Sequence, residues 1–240
     1  MSDLPESLFL NPVWHSLLGP HRHLAIDGGE ACRYPADVAP FAALAGQSAA
    51  AVRHLRELLE PADPVWIVDA GLPRVPEIIL EGSLLCLQMV LSRKAALPAP
   101  ATPAVEIVPL GAANAAEMVA LTDVAFPGFF RSGTYRMGSY FGVRAADGLL
   151  IAMAGERLRL EGYPEMSGIC THPAHRGRGL ARQLIVHLAA VHRRQGLVSW
   201  LQVSAANANA IALYRDIGFE TARSVMLQRI SRADHTNRAG

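Results

Sequence analysis

In Glu165-Met-Ser-Gly-Ile-Cys-Thr-His-Pro-Ala-His-Arg-Gly-Arg-Gly-Leu-Ala181, a short run rich in apolar residues is followed by a Pro-marked turn and then by glycines at the start of an amphipathic helix. Such a strand-turn-helix passage builds an anion site. A helix that opens on glycine carries no bulk over its first turn, so its unpaired backbone N–H groups and the positive end of its dipole stay open to a ligand. Gly177 and Gly179 let that ligand approach the main chain, and a pyrophosphate is the expected anion. The loop is not a Walker loop, because no Gly-Lys-Ser/Thr follows the glycines. Nor is it the dinucleotide fingerprint, which needs three glycines at a spacing absent here.

A second element lies about thirty residues downstream, in Asn207-Ala-Asn-Ala-Ile-Ala-Leu-Tyr214-Arg-Asp-Ile-Gly218-Phe219. Asn207 is placed to cap a short helix. Ala210, Leu213, Tyr214 and Ile217 share one face at i, i+3, i+4 and i+7, and Gly218 stands where a left-handed C-terminal residue is wanted. Arg176-x-x-Gly179-x-Ala181 after a strand resembles the pyrophosphate loop, Gln/Arg-x-x-Gly-x-Gly/Ala, of the GNAT superfamily of N-acetyltransferases. The Asn207 helix resembles the second signature of that family, Asn-x-x-Ala-x-x-Leu-Tyr followed by Gly-Phe. Both motifs stand in the family's order and separation, and the resemblance covers Val105 to Ile230.

Composition agrees with an enzyme of this kind. The chain has 240 residues, 51% of them hydrophobic, enough to bury a sizeable core in one large domain or two smaller ones. A net charge of +1 argues against nucleic acid as a partner, which would call for a basic excess or stripe. Cys32, Cys86 and Cys170 are far apart and odd in number, so neither a disulfide framework nor a Cys-x-x-Cys metal site can be drawn, and reduced thiols are expected. Asp3 and Glu6 stand where a secretory leader would be basic, which makes the cytoplasm the expected location. The most apolar run, Leu84 to Leu91, is interrupted by Gln88 and falls short of the ~20 residues of a membrane span.

The Pro/Ala stretch 95–104 suits a semi-extended connector and is read as a linker between lobes. Upstream, residues 1–94 read as an α+β lobe with strands over Leu24 to Asp27, Pro64 to Asp69 and Ile78 to Leu91, and a helix over Ala49 to Leu59. This lobe has no glycine-rich helix start. Its layout is similar to the N-terminal lobe of two-lobed GNAT proteins related to glycine N-acyltransferase, which implies a degenerate GNAT-like half. Downstream, residues 105–232 form the expected GNAT domain, ahead of a tail at 233–240. Its strands are read over Val105 to Leu110, Tyr140 to Arg144, Leu149 to Leu160, Met166 to Thr171, Val198 to Val203 and Val225 to Ile230. Helices are read over Ala112 to Asp123 and from Leu180 to near Gly196, with a hairpin turn at Asp147-Gly148. The resemblance implies an α/β (α+β) acyl-CoA N-acyltransferase fold, whose mixed sheet has strands that splay apart to admit the pantetheine arm.

The chemistry implied by the resemblance is transfer of an acyl group from acetyl-CoA, or another acyl-CoA, to an acceptor such as a primary amine, by direct attack in a ternary complex. The pyrophosphate would sit on the main chain of Arg176, Gly177, Arg178, Gly179, Leu180 and Ala181, the two arginines adding charge; on plain structure they are a solvated helix start. The strand before the loop, Ile169, Cys170 and Thr171, would meet the pantetheine amides, and Cys170 reads as an apolar filler rather than a nucleophile. Tyr214 would donate a proton to the leaving thiolate, or else simply pack; Asn207 would bind the cofactor, or else only cap its helix. The proton acceptor is Glu165, with Glu156 as runner-up and water as the remaining choice. His172 and His175 have no third ligand in sight, so no metal is expected. Phe129, Phe130 and Tyr135 lie in an aromatic, glycine-containing loop where the family lines its acceptor pocket; as plain structure, the loop packs on the core. Two other readings stand beside the enzyme: a non-catalytic acyl-CoA-binding or sensor protein, and a binding module that works through the N-terminal half.

Overall fold

Hairpin turns and helix ends fix the order of elements, and the computed structural model, which describes residues 6–61, 63–68, 75–99 and 105–233, resolves that order into two units. The first comprises residues 37–39 and 87–224. It contains the last part of β5 (Ile78–Leu91), then β6 (Val108–Leu110), α4 (Ala115–Ala125), β7 (Tyr140–Arg144), β8 (Leu150–Leu160), β9 (Tyr163–Thr171), α5 (Leu180–Arg194), β10 (Trp200–Ser204), α6 (Ala208–Ile217) and the start of β11 (Phe219–Arg232).

Strands β6 to β9 form an antiparallel meander, and β10 joins β9 in parallel after the α5 crossover. β10 is followed by β5 and then β11, giving a mixed sheet. Side chains alternate across β8. Ala152 and Ala154 pack with Leu180 and Leu184 of α5, while Met153 packs with Met118 and Leu121 of α4. Helix α5 is therefore stabilised by burial of its i, i+4 stripe Leu180, Leu184 and Leu188.

The expected elements recur with shifted ends. The strand read over Val105 to Leu110 shortens to β6, because Val105 and Ile107 pack beside α5 and the Val105 N–H donates to Gln183 Oε1 at 3.1 Å. The helix read from Ala112 opens as a 3₁₀ turn, Ala112–Asn114, with Asn114 Oδ1 accepting from the Gly111 N–H. Strand β9 begins three residues before Met166 because the Glu161-Gly162 turn pairs Leu160 with Tyr163.

The second unit takes residues up to 36, 40–86 and those from 225. It holds α1 (Glu6–Leu10), α2 (Pro12–Leu18), a three-stranded antiparallel sheet of β1 (Ile26–Asp27), β2 (Ala31–Arg33) and β3 (Ala42–Leu44), then α3 (Ala49–Leu58), β4 (Val65–Val68) and the remaining parts of β5 and β11. β4 pairs antiparallel with β11 through Val65–Ile230 to Val68–Leu227. The core here is Leu44, Leu55, Leu59, Val65, Ile67 and Ile230, with α3 capped by Ser48 Oγ. The strand read from Leu24 begins instead with a 3₁₀ turn, Arg22–Leu24. Helices α1 and α2 had no counterpart in the sequence reading.

The division between the units differs from the expected lobes 1–94 and 105–232. It falls inside β5 and β11, each of which has residues in both units. Residues 95–99 of the expected linker belong to the first unit: Ala95 and Leu97 pack on its core, and Ala95 O and Ser92 O accept from Arg193 Nη2. Apolar content, which the Pro/Ala composition masks, fixes them there. Residues 100–104, Asp69 and the expected tail from 234 lie outside the described residues.

A close approach inside the meander supplies a stability test. Gly155 faces Tyr140, and a Cβ there would overlap the phenol ring, which is fully buried. Gly155→Ala is expected to cost about 1–3 kcal/mol by overpacking, read as a lower urea midpoint at unchanged m-value.

Candidate functional site

Strand β9 runs directly into the glycine loop. Pro173–His175 form a 3₁₀ turn in which His172 Nδ1 accepts from the Ala174 N–H at 3.3 Å, and Arg176 is extended. Gly177 and Gly179 take φ of 76° and 71°, left-handed values that other residues avoid. No side chain caps α5 at Gly179, and its first internal bond runs from the Gln183 N–H to Gly179 O. Among the described residues, the backbone N–H groups of Gly177, Arg178, Gly179, Leu180, Ala181 and Arg182 have no acceptor. A Cβ built on Gly177 or Gly179 would meet nothing within 4 Å, so that side of the loop is open. Arg176 and Arg178 are exposed there, Arg178 Nη1 lying 3.0 Å from His175 Nδ1. This is a nest of donors with added positive charge, fitted to a phosphate-bearing ligand. His172 and His175 meet edge to face within the loop, and no group of three or more potential metal ligands occurs among the described residues.

Below the loop, β9 and β10 part company. Their parallel register consists of Glu165 with Trp200 and Met166 with Leu201, after which β9 continues to Thr171 and β10 to Ser204. On its other side β9 bulges. Between the pairs Met153–Cys170 and Gly155–Ser167 it carries one more residue than β8, with Gly168 at φ 61°. Ile169 and Thr171 are half-buried along the diverging stretch. Cys170 is buried between them, and burial pushes its thiol up to about 12, against a weaker opposing effect of a backbone hydrogen bond to Met153 and of Arg176. That thiol is neutral and poorly nucleophilic at physiological pH.

Across the gap, Asn207 Oδ1 accepts from the Ala210 N–H at 3.1 Å and caps α6, and Arg182 of α5 pairs with Asp216 of α6. Tyr214 packs with Met166, Ile185 and Leu201, its ring centroid 5.9 Å from that of Phe219. It keeps 8% of its surface exposed, and its hydroxyl has no hydrogen-bond partner among the described residues. Burial pushes this phenol up to about 12. The raised value favours the protonated form, so Tyr214 holds its proton through neutral pH and loses it only as pH rises towards 12.

The two candidate carboxylates have different surroundings. Glu165 is 0% exposed; Arg157 Nε and Nη2 donate to it at 2.9 and 2.6 Å, the Leu158 N–H at 3.1 Å and Gln202 Nε2 at 3.1 Å. Both of its oxygens are engaged, whereas a proton acceptor expected at the strand's start would need a free lone pair. Gln202 Oε1 in turn accepts from Gln88 Nε2 at 3.4 Å. Glu156 is equally buried, with Oε1 3.0 Å from His192 Nε2; its Oε2 has no hydrogen bond, the Arg159 guanidinium lying 3.6 Å away. His192 Nδ1 meets Ser199 Oγ at 2.9 Å. The sequence reading missed Arg157, Gln202, His192 and Ser199. The one available signal was the acid-base neighbours Glu156-Arg157 in an apolar strand, which alternation sends to opposite faces.

The aromatic loop divides its expected roles. Phe130 lies in the core, edge to face with Tyr140 at 5.5 Å, and Tyr135 is half-buried against the same cluster. Phe129 is half-buried and stacks on Phe126 at 5.6 Å with an interplanar angle of 8°.

Comparison with known proteins bears on this geometry. Residues 140–227 match the profile of the FR47-like protein family. A crystal structure from Novosphingobium aromaticivorans, assigned to the GNAT family of acetyltransferases, is 37% identical with a TM-score of 0.83, over 94% of this chain and 99% of that one. A GCN5-related N-acetyltransferase from Kribbella flavida shares the fold, with a TM-score of 0.63 at 17% identity over 93% of this chain and 95% of its own. The ribosomal protein bS18-alanine N-acetyltransferases of Salmonella typhimurium and Escherichia coli are 46% and 42% identical over 55 residues, 22% of this chain. The chain thus spans 37% of the length of those relatives. With its glycine loop, splayed strands and capped tyrosine helix in place, and this identity over nearly its whole length to a GNAT structure, the chain belongs to the GNAT family of acetyltransferases.

Proposed function

We propose that the protein is an acyl-CoA-dependent N-acyltransferase that moves an acetyl group from acetyl-CoA to a primary amine by direct attack in a ternary complex. The observation that carries this reading is the unbroken run of acceptor-less N–H groups from Gly177 to Arg182, opening where β9 and β10 part and where α6 brings Tyr214. The co-substrate supplies an activated thioester. Main-chain donors and the charges of Arg176 and Arg178 hold its pyrophosphate, the diverging backbone of Ile169 to Thr171 offers partners for its amides, and Asn207 fixes the start of α6. As the amine nitrogen attacks the carbonyl carbon, the C–S bond breaks and the thiolate takes the Tyr214 proton. The nitrogen gives up its own proton to water, and Tyr214 is reprotonated from solvent.

Glu165, expected as the proton acceptor, is assigned instead to holding the foot of the splay through Arg157 and Gln202. We place the protein in the cytoplasm, where acetyl-CoA and reduced thiols are found; its three cysteines are free and buried, and no helix among the described residues is long and apolar enough to cross a membrane.

Calorimetry with acetyl-CoA is expected to give one site per chain. Gly179→Val places a branched side chain at a left-handed φ where the phosphate approaches, and should weaken binding by about tenfold or more, equivalent to about 1.4 kcal/mol; a folded variant that binds as tightly as wild type would remove the loop from the site.

Tyr214→Phe keeps the ring and its packing and should lower kcat by ~10²–10⁴-fold with little change in acetyl-CoA affinity, the loss typical of a general acid. A kcat within about twofold of wild type, well below that range, would return Tyr214 to a packing role.

Removal of Glu165 alone takes from the buried Arg157 guanidinium its bidentate carboxylate contact, so Glu165→Leu is expected to cost about 3–5 kcal/mol, while Arg157→Met/Glu165→Leu should regain part of it. Denaturant curves for both variants check this. A single variant of undiminished stability and abolished turnover would restore Glu165 as the base.

A further inference from the structure

One buried phenol of the meander carries a hydroxyl that the fold does not use. Tyr140 of β7 is 2% exposed, in the cluster with Met118, Phe130, Met153 and Cys170, and its hydroxyl has no hydrogen-bond partner among the described residues. An unpaired buried hydroxyl lowers stability, and a phenylalanine would fill the same cluster without that cost. The hydroxyl therefore calls for a partner from outside the chain.

Two glycines aim it. Tyr140 pairs with Gly155 of β8, and Gly155 with Ser167 of β9. Because position 155 has no side chain, the ring lies across β8, where a Cβ on Gly155 would overlap Tyr140 Cδ1 and Cε1. It then reaches the bulge of β9, where a Cβ on Gly168 would stand 3.3 Å from Tyr140 Cε1. Phe130, edge to face at 5.5 Å, holds the ring from its other side. Met166 is the last residue of β9 paired with β10, so at Gly168 the phenol meets β9 where the strands have already parted.

The opposite face of β9 belongs to Tyr214, which packs with Met166 among residues of α5 and β10. Two phenols thus flank the opening, one from the α4 side of the sheet and one from the α5 side. Burial pushes the Tyr140 phenol well above its ordinary value, against an opposing effect of Arg157, with Glu165 and Glu156 adding to the rise. It stays a neutral donor at physiological pH.

Acyl transfer makes two separate demands for donors. As the nitrogen lone pair attacks the carbonyl carbon, the C=O π pair moves onto oxygen; as C=O re-forms, the C–S bond breaks with its pair on sulfur. Tyr214 is assigned to the sulfur. The oxygen needs a donor that gives a hydrogen bond and keeps its proton. We propose that Tyr140 is a second catalytic residue, whose hydroxyl donates to the thioester carbonyl oxygen and stabilises the charge that grows there. This rests on the acyl-transfer reading above.

The test uses the full chain with acetyl-CoA carrying carbon-13 at the carbonyl, bound without amine and read by isotope-edited infrared spectroscopy, because a hydrogen bond to a carbonyl lowers its stretching frequency. Tyr140→Phe is expected to raise the frequency of the bound carbonyl and Tyr214→Phe to leave it in place. Tyr140→Phe should unfold at the same or a higher urea midpoint and keep its acetyl-CoA affinity by calorimetry. Its kcat, followed by thiol release with alanine amide, phenethylamine and spermidine, should fall by about 10²–10³-fold, the loss typical of an oxyanion donor, and by the same factor for each amine turned over. A carbonyl frequency unmoved by Tyr140→Phe, a kcat within about twofold of wild type, well below that range, or a loss confined to one amine overturns the assignment while leaving acyl transfer in place. A lowered urea midpoint with weakened acetyl-CoA binding returns Tyr140 to the core. Tight acetyl-CoA binding with no thiol release for any amine overturns the acyl-transfer reading and the role of Tyr140 with it.

Discussion

Parallel strands that begin as partners and then diverge leave backbone N–H and C=O groups facing a gap, and such groups are costly unless something fills it. Strands β9 and β10 do this after two residue pairs. The divergence needs a firm foot, and side chains provide it at the level where the main chains let go. Glu165 is in one of the last paired positions, and Gln202 is the first residue of β10 beyond the pairing. The hydrogen bond between them, backed by the bidentate Arg157 contact, joins the strands where their backbones no longer do. A buried ion pair is weak evidence for stability, because desolvation offsets its attraction. Here its value lies in geometry: it joins the strands at the level where their backbone pairing ends.

A second polar tie meets the sheet on the neighbouring residue of β8. Alternation along that strand turns Arg157 towards Glu165 and Glu156 towards α5, where His192 and Ser199 complete a buried chain. One tie anchors β8 to β9 and β10; the other anchors β8 to the C-terminal part of α5 and the start of β10. Helix α5 carries the glycine loop at its other end, so the second tie holds the C-terminal turn of the helix that the loop opens.

The features legible in the sequence are those whose cause is local. Gly177 and Gly179 announce an open helix start, Asn207 a cap, and Asp147-Gly148 a turn, because each solves a backbone problem within a few residues. Pairings between distant side chains were not legible, since Arg157 meets Glu165 across a hairpin and Glu156 meets His192 on the crossover helix. Glu165 was read as the proton acceptor for that reason. The division of the chain was hidden for a related one. Proline and alanine between 95 and 104 suggested a connector, yet long strands that serve two units show no break in composition where they pass from one to the other.

Desolvation by itself separates the two groups that could have carried covalent or acid chemistry. Burial pushes both Cys170 and Tyr214 up to about 12. For the thiol this removes the thiolate that a ping-pong mechanism would need. For the phenol the same shift keeps the hydroxyl protonated at neutral pH while making its proton harder to give up, and the hydroxyl has no competing partner among the described residues. The two shifts arise in separate parts of the core, Cys170 being buried with Met118, Phe130 and Tyr140 and Tyr214 with Met166, Ile185 and Leu201, so under the acyl-transfer proposal the direct attack asks of the protein position and one proton and no bond of its own to the acyl group.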